Sequence, residues 1–213
     1  MKTKHIQIAL TIVGLALPQL SNAVTINFDT FPDSTIVPNG TVITTQYLPV
    51  GVTFSSSALG GAPSAGVFAG EASSSPNMLV GSFAGAVGLY NIIMDFTPAA
   101  SPNAVSLNLI SVGTGIVTAN AYASDLVTLL ATVSVTHGLG AGNGFGNVDP
   151  ITLSGIGIAR VVFDITQTTG VIDGYGIDDV VFTPANAPEP SSAALATVGM
   201  SALLFFRRGR TTA

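Results

Sequence analysis

Three aspartates carry the clearest chemical signal in this 213-residue chain. Asp29 follows Ile26 and Phe28 at the end of a short β-pattern, and Asp178 and Asp179 stand together in Gly176-Ile177-Asp178-Asp179-Val180-Val181-Phe182. Strand side chains alternate between faces, so Asp179 is expected on the Ile177/Val181 face and Asp178 on the opposite one. A carboxylate on a buried strand face is costly unless it is hydrogen-bonded, paired or bound to a cation. Calcium is the fitting cation: hard, oxygen-seeking, tolerant of backbone carbonyls and plentiful outside cells. Asp29, Asp178 and Asp179 are therefore the expected ligands of a structural Ca2+. The competing expectation has Asp179 hydrogen-bonded to a loop backbone, or Asp178 and Asp179 both solvated at a strand end. Both stay open on the sequence.

Other chemistries lack their residues. There is no Gly-x-Ser-x-Gly, and after residue 23 the one histidine is His137, beside a run with Gly at 138, 140, 142, 144 and 146. A histidine at a mobile tip is poorly held for general-base work, and histidine-based metal catalysis lacks a second imidazole. That glycine run has neither the Rossmann nor the Walker spacing and no following Lys, so it reads as a turn between strands. With no cysteine, thiolate zinc sites, redox motifs and thiol nucleophiles are excluded. Scattered acids always allow a pair, but a glycosidase needs two carboxylates at a fixed separation across a sugar cleft. Sugar-stacking platforms are thin, with no Trp and four Tyr. The chain is expected not to be an enzyme.

The elements that must position these acids have period two. Val127, Leu129, Ala131, Val133 and Val135 alternate with Thr128, Leu130, Thr132, Ser134 and Thr136, and Ala159, Val161, Phe163 and Ile165 alternate with Arg160, Val162, Asp164 and Thr166. That repeat, in Val, Ile, Thr and Phe, predicts strands with one buried side. Strands are expected near 24–29, 50–55, 66–69, 77–81, 91–97, 104–112, 115–123, 126–136, 150–154, 157–166 and 176–183. A short helical turn is expected at 41–48 and a long surface loop over 55–77. About ten short strands separated by Gly, Pro, Asn and Ser predict an all-β fold, a two-sheet antiparallel β-sandwich of jelly-roll type.

Both ends read as targeting segments. Lys2 and Lys4, the apolar Ile6–Leu17 core, Pro18 and Ser21-Asn22-Ala23 form a signal peptide over 1–23, with a signal helix and cleavage after Ala23. The sandwich domain spans 24–187, and 188–213 is a tail. Between these ends Arg160 is the one basic residue against ten acids (eleven less Glu189), a net charge near −9. Nucleic-acid binding requires clustered Lys and Arg, so it is excluded.

The tail opens on Pro188-Glu189-Pro190, continues through an uncharged run, Ala193 to Phe206, and ends on Arg207, Arg208 and Arg210. As a helix, residues 193–206 rise about 21 Å, short of the roughly 30 Å hydrocarbon core. The arginines place the C-terminus on the cytoplasmic side. A marginal span after an exposed proline stem reads as temporary retention.

This order resembles the PEP-CTERM sorting signal of Gram-negative bacteria. The resemblance implies processing by an exosortase-type enzyme, transient residence in the inner membrane with the body in the periplasm, and a final place at the cell surface or outside the cell. It also implies an association with exopolysaccharide and biofilm. Asn27-Phe28-Asp29, Thr44-Thr45-Gln46-Tyr47 with Gly51-Val52-Thr53-Phe54, and Ile177 to Phe182 resemble a sandwich recurrent in such proteins. That module is similar to galactose-binding-like jelly rolls, which often hold a structural calcium near the first and last strands. The expected function is a non-catalytic surface or matrix protein. A carbohydrate-binding module is the alternative and a cryptic glycoside hydrolase the third reading.

Overall fold

A computed structural model describes residues 22–56, 62–67, 72–81, 91–112, 115–137, 147–166 and 174–184. The expected signal helix, the helix 193–206, the glycine segment 138–146, and Pro188, Glu189, Pro190, Arg207, Arg208 and Arg210 lie outside the described residues. Among the described residues, no helix is long and apolar enough to cross a membrane.

The described residues form eleven strands: β1 (Val24–Ile26), β2 (Val52–Ser55), β3 (Ser64–Val67), β4 (Asn77–Val80), β5 (Ile92–Phe96), β6 (Pro102–Val112), β7 (Gly115–Tyr122), β8 (Leu129–His137), β9 (Asn147–Ser154), β10 (Arg160–Thr166) and β11 (Gly174–Pro184). Their alternating sequences set one face of each against a shared core. One sheet runs β3-β4-β11-β6-β9, with β1 also on β11, and the other runs β2-β5-β10-β7-β8. Every pairing is antiparallel. Only β3–β4 and β7–β8 are consecutive neighbours within a sheet; the other connections pass between sheets. The expected two-sheet sandwich is what forms.

Inward positions follow the two-residue repeat: Ile92, Met94 and Phe96 on β5, Val161, Phe163 and Ile165 on β10, and Val105, Leu107 and Leu109 on β6. Each such burial is worth about 1.5–3 kcal/mol. Phe28, Tyr47 and Phe54 meet edge-to-face, with ring centroids 5.5–6.1 Å apart. Tyr175 ties the sheets together. Its hydroxyl accepts from the Ile92 N–H and donates to the Phe163 carbonyl, both at 2.8 Å, where the β5–β10 ladder ends.

Three local expectations are corrected. The helical turn is a 3-10 segment at Leu48–Val50, overlapping 41–48 only at Leu48, because Pro49 favours helix entry and Gly51, at φ 88°, ends it. Upstream, Gln46 instead closes a side-chain turn with the Thr44 N–H and the Val42 carbonyl. The β8 pattern breaks at its start: Val127 is 80% exposed, because Asp125 accepts from the N–H groups of Val127 and Thr128 and curls 125–128 into a turn. Within 55–77, the strand expected near 66–69 forms as edge strand β3 at Ser64–Val67, and the part before β4 is not a plain loop but a strap against β11.

Candidate functional site

The strap, residues 72–76, lies over the outward face of the six-stranded sheet. Ala72 packs on a small cluster of Met78, Val80 and Ile110, and Ser73 and Ser74 reach the paired acids of β11. Gly176 makes room for this layer, since a Cβ there would lie 2.5 Å from Met78 Sδ.

Strict alternation does not hold through Asp178-Asp179. The β11–β6 register shifts between Asp178 and Val181, and Asp179 adopts φ 49° in the left-handed region. This bulge inverts the inward set, so Ile177, Val180 and Phe182 line the core and Val181 is only half-buried. Asp179 therefore does not share an Ile177/Val181 face, and the two carboxylates come to one hydroxyl. Ser73 Oγ lies 3.0 Å from Asp178 Oδ2 and 2.7 Å from Asp179 Oδ2.

Asp178 is fully buried. It accepts from the Ser74 N–H at 2.8 Å, the Ser74 hydroxyl at 3.1 Å and the Asp179 N–H at 2.8 Å. Desolvation pushes its carboxyl up to about 6, against the lowering pull of these bonds. Asp179 also accepts from Asn108 Nδ2 at 3.1 Å.

Asp29 sits one step away. Phe28 turns at φ 57°, which buries its ring and points the next residue at β4, where Asp29 Oδ1 accepts the Asn77 N–H at 2.7 Å. Asn77 Nδ2 donates to the Val37 carbonyl, while its Oδ1 is buried with no hydrogen-bond partner. Both Asp29 and Asp178 act on Tyr47: burial first, then these two charges, hold its hydroxyl well above the ordinary tyrosine range.

The structure thus brings Asp178 and Asp179 together and sets Asp29 at the other end of the same strap. In kind the donors suit a hard cation, being carboxylate, hydroxyl and amide oxygens. In arrangement, protein N–H and O–H groups already face Asp178 and Asp179. Among the described residues, no three Asp, Glu, His or Cys side chains converge as a metal group would. Ser73, Ser74, Asn77 and Asn108 are site residues that the sequence did not single out. Their one signal was a Ser-rich run ahead of a strand, which is common in loops.

No family model matches the chain, and no curated protein matches it. Solved structures resemble it. The K2 cleaved adhesin domain of Lys-gingipain is 13% identical, with a TM-score of 0.50 over 76% of this chain and 99% of that one. The K1 cleaved adhesin domain of Lys-gingipain from Porphyromonas gingivalis W83 is 16% identical, with a TM-score of 0.48 over 76% of this chain and 98% of that one. A family 29 carbohydrate binding module complexed with mannohexaose is 11% identical, with a TM-score of 0.41 over 76% of this chain and 91% of that one. The likeness to the K2 domain speaks to the sandwich alone.

Proposed function

We propose that the chain is a non-catalytic, exported surface or matrix protein whose sandwich binds polysaccharide. One observation carries this reading: six of the eight acids among the described residues are spent on structure. Asp178 and Asp179 hold the strap, Asp29 holds β4, Asp95 pairs with Arg160, and Asp33 and Asp125 close turns. A hydrolase needs two carboxylates free to flank a bond. Asp95 and Asp164 share an outward face, but Asp95 stands opposite Arg160, four residues along β10 from Asp164. With a strand rise of about 3.3 Å per residue and about 4.8 Å between strands they are about 14 Å apart, wider than the roughly 6.5–9.5 Å of an inverting pair. An adhesin domain of similar fold agrees with a surface role.

The ends supply the address. The signal-like 1–23 and the Pro188-Glu189-Pro190 tail with Arg207, Arg208 and Arg210 support export, transient membrane retention and removal by an exosortase-type enzyme. A structural Ca2+ with Asp29, Asp178 and Asp179 as ligands belongs to the same proposal, and the one support for it is Asn77 Oδ1, a buried acceptor with no hydrogen-bond partner. Two experiments test the reading. The mass spectrum of the mature protein from its host is expected to lack 1–23 and the tail beyond about residue 190, as signal cleavage requires; intact 191–213 removes the sorting role. The purified protein is expected to bind polysaccharide without releasing reducing ends, and release of sugar replaces this reading with the hydrolase.

A further inference from the structure

The outward face of the five-stranded sheet is unlike an ordinary solvated sheet face. Alternation puts Ile93 and Asp95 of β5, Arg160, Val162 and Asp164 of β10, and Asn120 and Tyr122 of β7 on it, all half-buried. The register sets them in rows. Ile93 stands opposite Val162, and Val162 opposite Asn120, while the next row runs Asp95, Arg160, Tyr122. A water-facing sheet side is commonly dressed with Lys and Glu. Here the centre is two apolar side chains, and the surrounding polar groups are hydroxyls, amides, one ion pair and one acid.

These polar groups are already ordered. Thr132 Oγ1 donates to Asn120 Oδ1 at 2.8 Å, and Thr118 and Ser134 hydroxyls meet at 3.0 Å. Arg160 Nε and Nη2 reach Asp95 at 2.6 and 3.1 Å. Asp164 has no hydrogen-bond or ion-pair partner among the described residues, and desolvation raises its pKa. The face therefore offers an apolar floor, fixed donors at Arg160 and Asn120, and an unmet acceptor.

We propose that this face is the binding site for a neutral polysaccharide chain, lying over Ile93 and Val162 between Tyr122 and Asp164. The inference rests on the polysaccharide reading above and adds the site and the ligand class. A sugar hydroxyl both donates and accepts, so its proton suits the Asp164 carboxylate and its lone pairs suit Asn120 and Arg160. The C–H side of the ring suits the Ile93–Val162 floor, and Tyr122 adds an aromatic edge. Charge excludes an anionic polymer: the ion pair is neutral, Asp164 is negative, and the sequence between the two end segments carries a net charge near −9 (one Arg less ten acids). Arg160 to Asp164 spans about 13 Å, a length of chain rather than a pocket for one ring.

The test titrates the full-length protein with neutral glucans, mannans and galactans, and with alginate as the anionic probe. A neutral polymer is expected to bind and alginate not to. Tyr122→Ala and Asp164→Asn are each expected to weaken binding at least tenfold, and Thr152→Ala on the other sheet to leave it unchanged. Asp164→Asn is isosteric, so it keeps the test valid if a larger truncation unfolds the protein. Binding that survives both face variants overturns the site while the polysaccharide reading stands. Failure to bind any neutral polymer overturns both. Self-association lost on Val162→Lys, with no glycan bound, makes the face a contact between copies of this chain and also overturns the proposal.

Discussion

Ser74 holds the Asp178 carboxylate along both of its oxygens: the backbone N–H lies 2.8 Å from Oδ2, and the hydroxyl lies 3.1 Å from Oδ1 and Oδ2. A buried carboxylate survives only with donors of this kind. Ser74→Ala removes one charge-assisted bond and is expected to cost about 2 kcal/mol. Asp178→Ala strands the N–H groups of Ser74 and Asp179 and is expected to cost about 3 kcal/mol or more. Urea unfolding of the two variants checks this order; an Asp178→Ala protein as stable as wild type removes the clamp.

Acidity tests the same carboxylate, and the sign is opposite to that of a salt-bridged acid. Burial pushes the Asp178 carboxyl up from its ordinary 3.8 to about 6 in the folded protein, so folding takes up a proton between those values. Its contribution is fully present below about pH 3.8 and is lost as pH rises through about 6. In chelator, wild type is expected to lose on the order of 2 kcal/mol relative to Asp178→Asn between pH 4 and 7. A bound calcium ion favours the ionised form, so added CaCl2 is expected to raise Tm at pH 7 and reverse that slope. A Tm indifferent to calcium and chelator leaves the clamp without the ion.

The sandwich was legible because its cause is repeated in every strand. Ile92, Met94 and Phe96, or Val161, Phe163 and Ile165, state the buried face without help from the rest of the chain. The site was legible only in part. Asp29, Asp178 and Asp179 stood out as acids amid apolar strands, and alternation set Asp178 opposite Ile177 correctly but gave the wrong face for Asp179. A bulge depends on how β6 pairs with β11 and on a left-handed Asp179, and neither leaves a periodic trace. Ser73 and Ser74 are separated from Asp178 by more than a hundred residues, and a serine in a polar loop looks the same whether or not it grips a carboxylate. The outward row of Ile93, Val162 and Asn120 likewise needed the cross-strand register.

Tyr175 gives a test of how the two sheets are joined. Its hydroxyl stands in for a ladder bond between Ile92 and Phe163, and both partners are buried. Tyr175→Phe keeps the ring and strands one donor and one acceptor, an expected loss of about 2–4 kcal/mol. Glycan binding is expected to persist in the variant at a temperature where it remains folded. A change in Tm under about 1 °C shows that the bridge does not stabilise the sandwich, since 1 kcal/mol shifts Tm by about 2–4 °C in a chain of this size.

Two glycines separate backbone conformation from crowding. Gly40 and Gly51 both have positive φ, 79° and 88°, where a side chain is strained. A Cβ on Gly40 meets nothing within 4 Å, so Gly40→Ala bears only the backbone term, about 1 kcal/mol. A Cβ on Gly51 would overlap the Ala100 Cβ and lie 3.1 Å from Thr97 Oγ1, at the point where the Gly51 carbonyl accepts the Thr97 N–H. Relief requires the 97–100 turn to move off the core, so Gly51→Ala is expected to cost about 3 kcal/mol or more. Paired denaturation curves measure the difference. Equal losses at the two positions show that strain at φ alone sets the cost and that Ala100 yields freely.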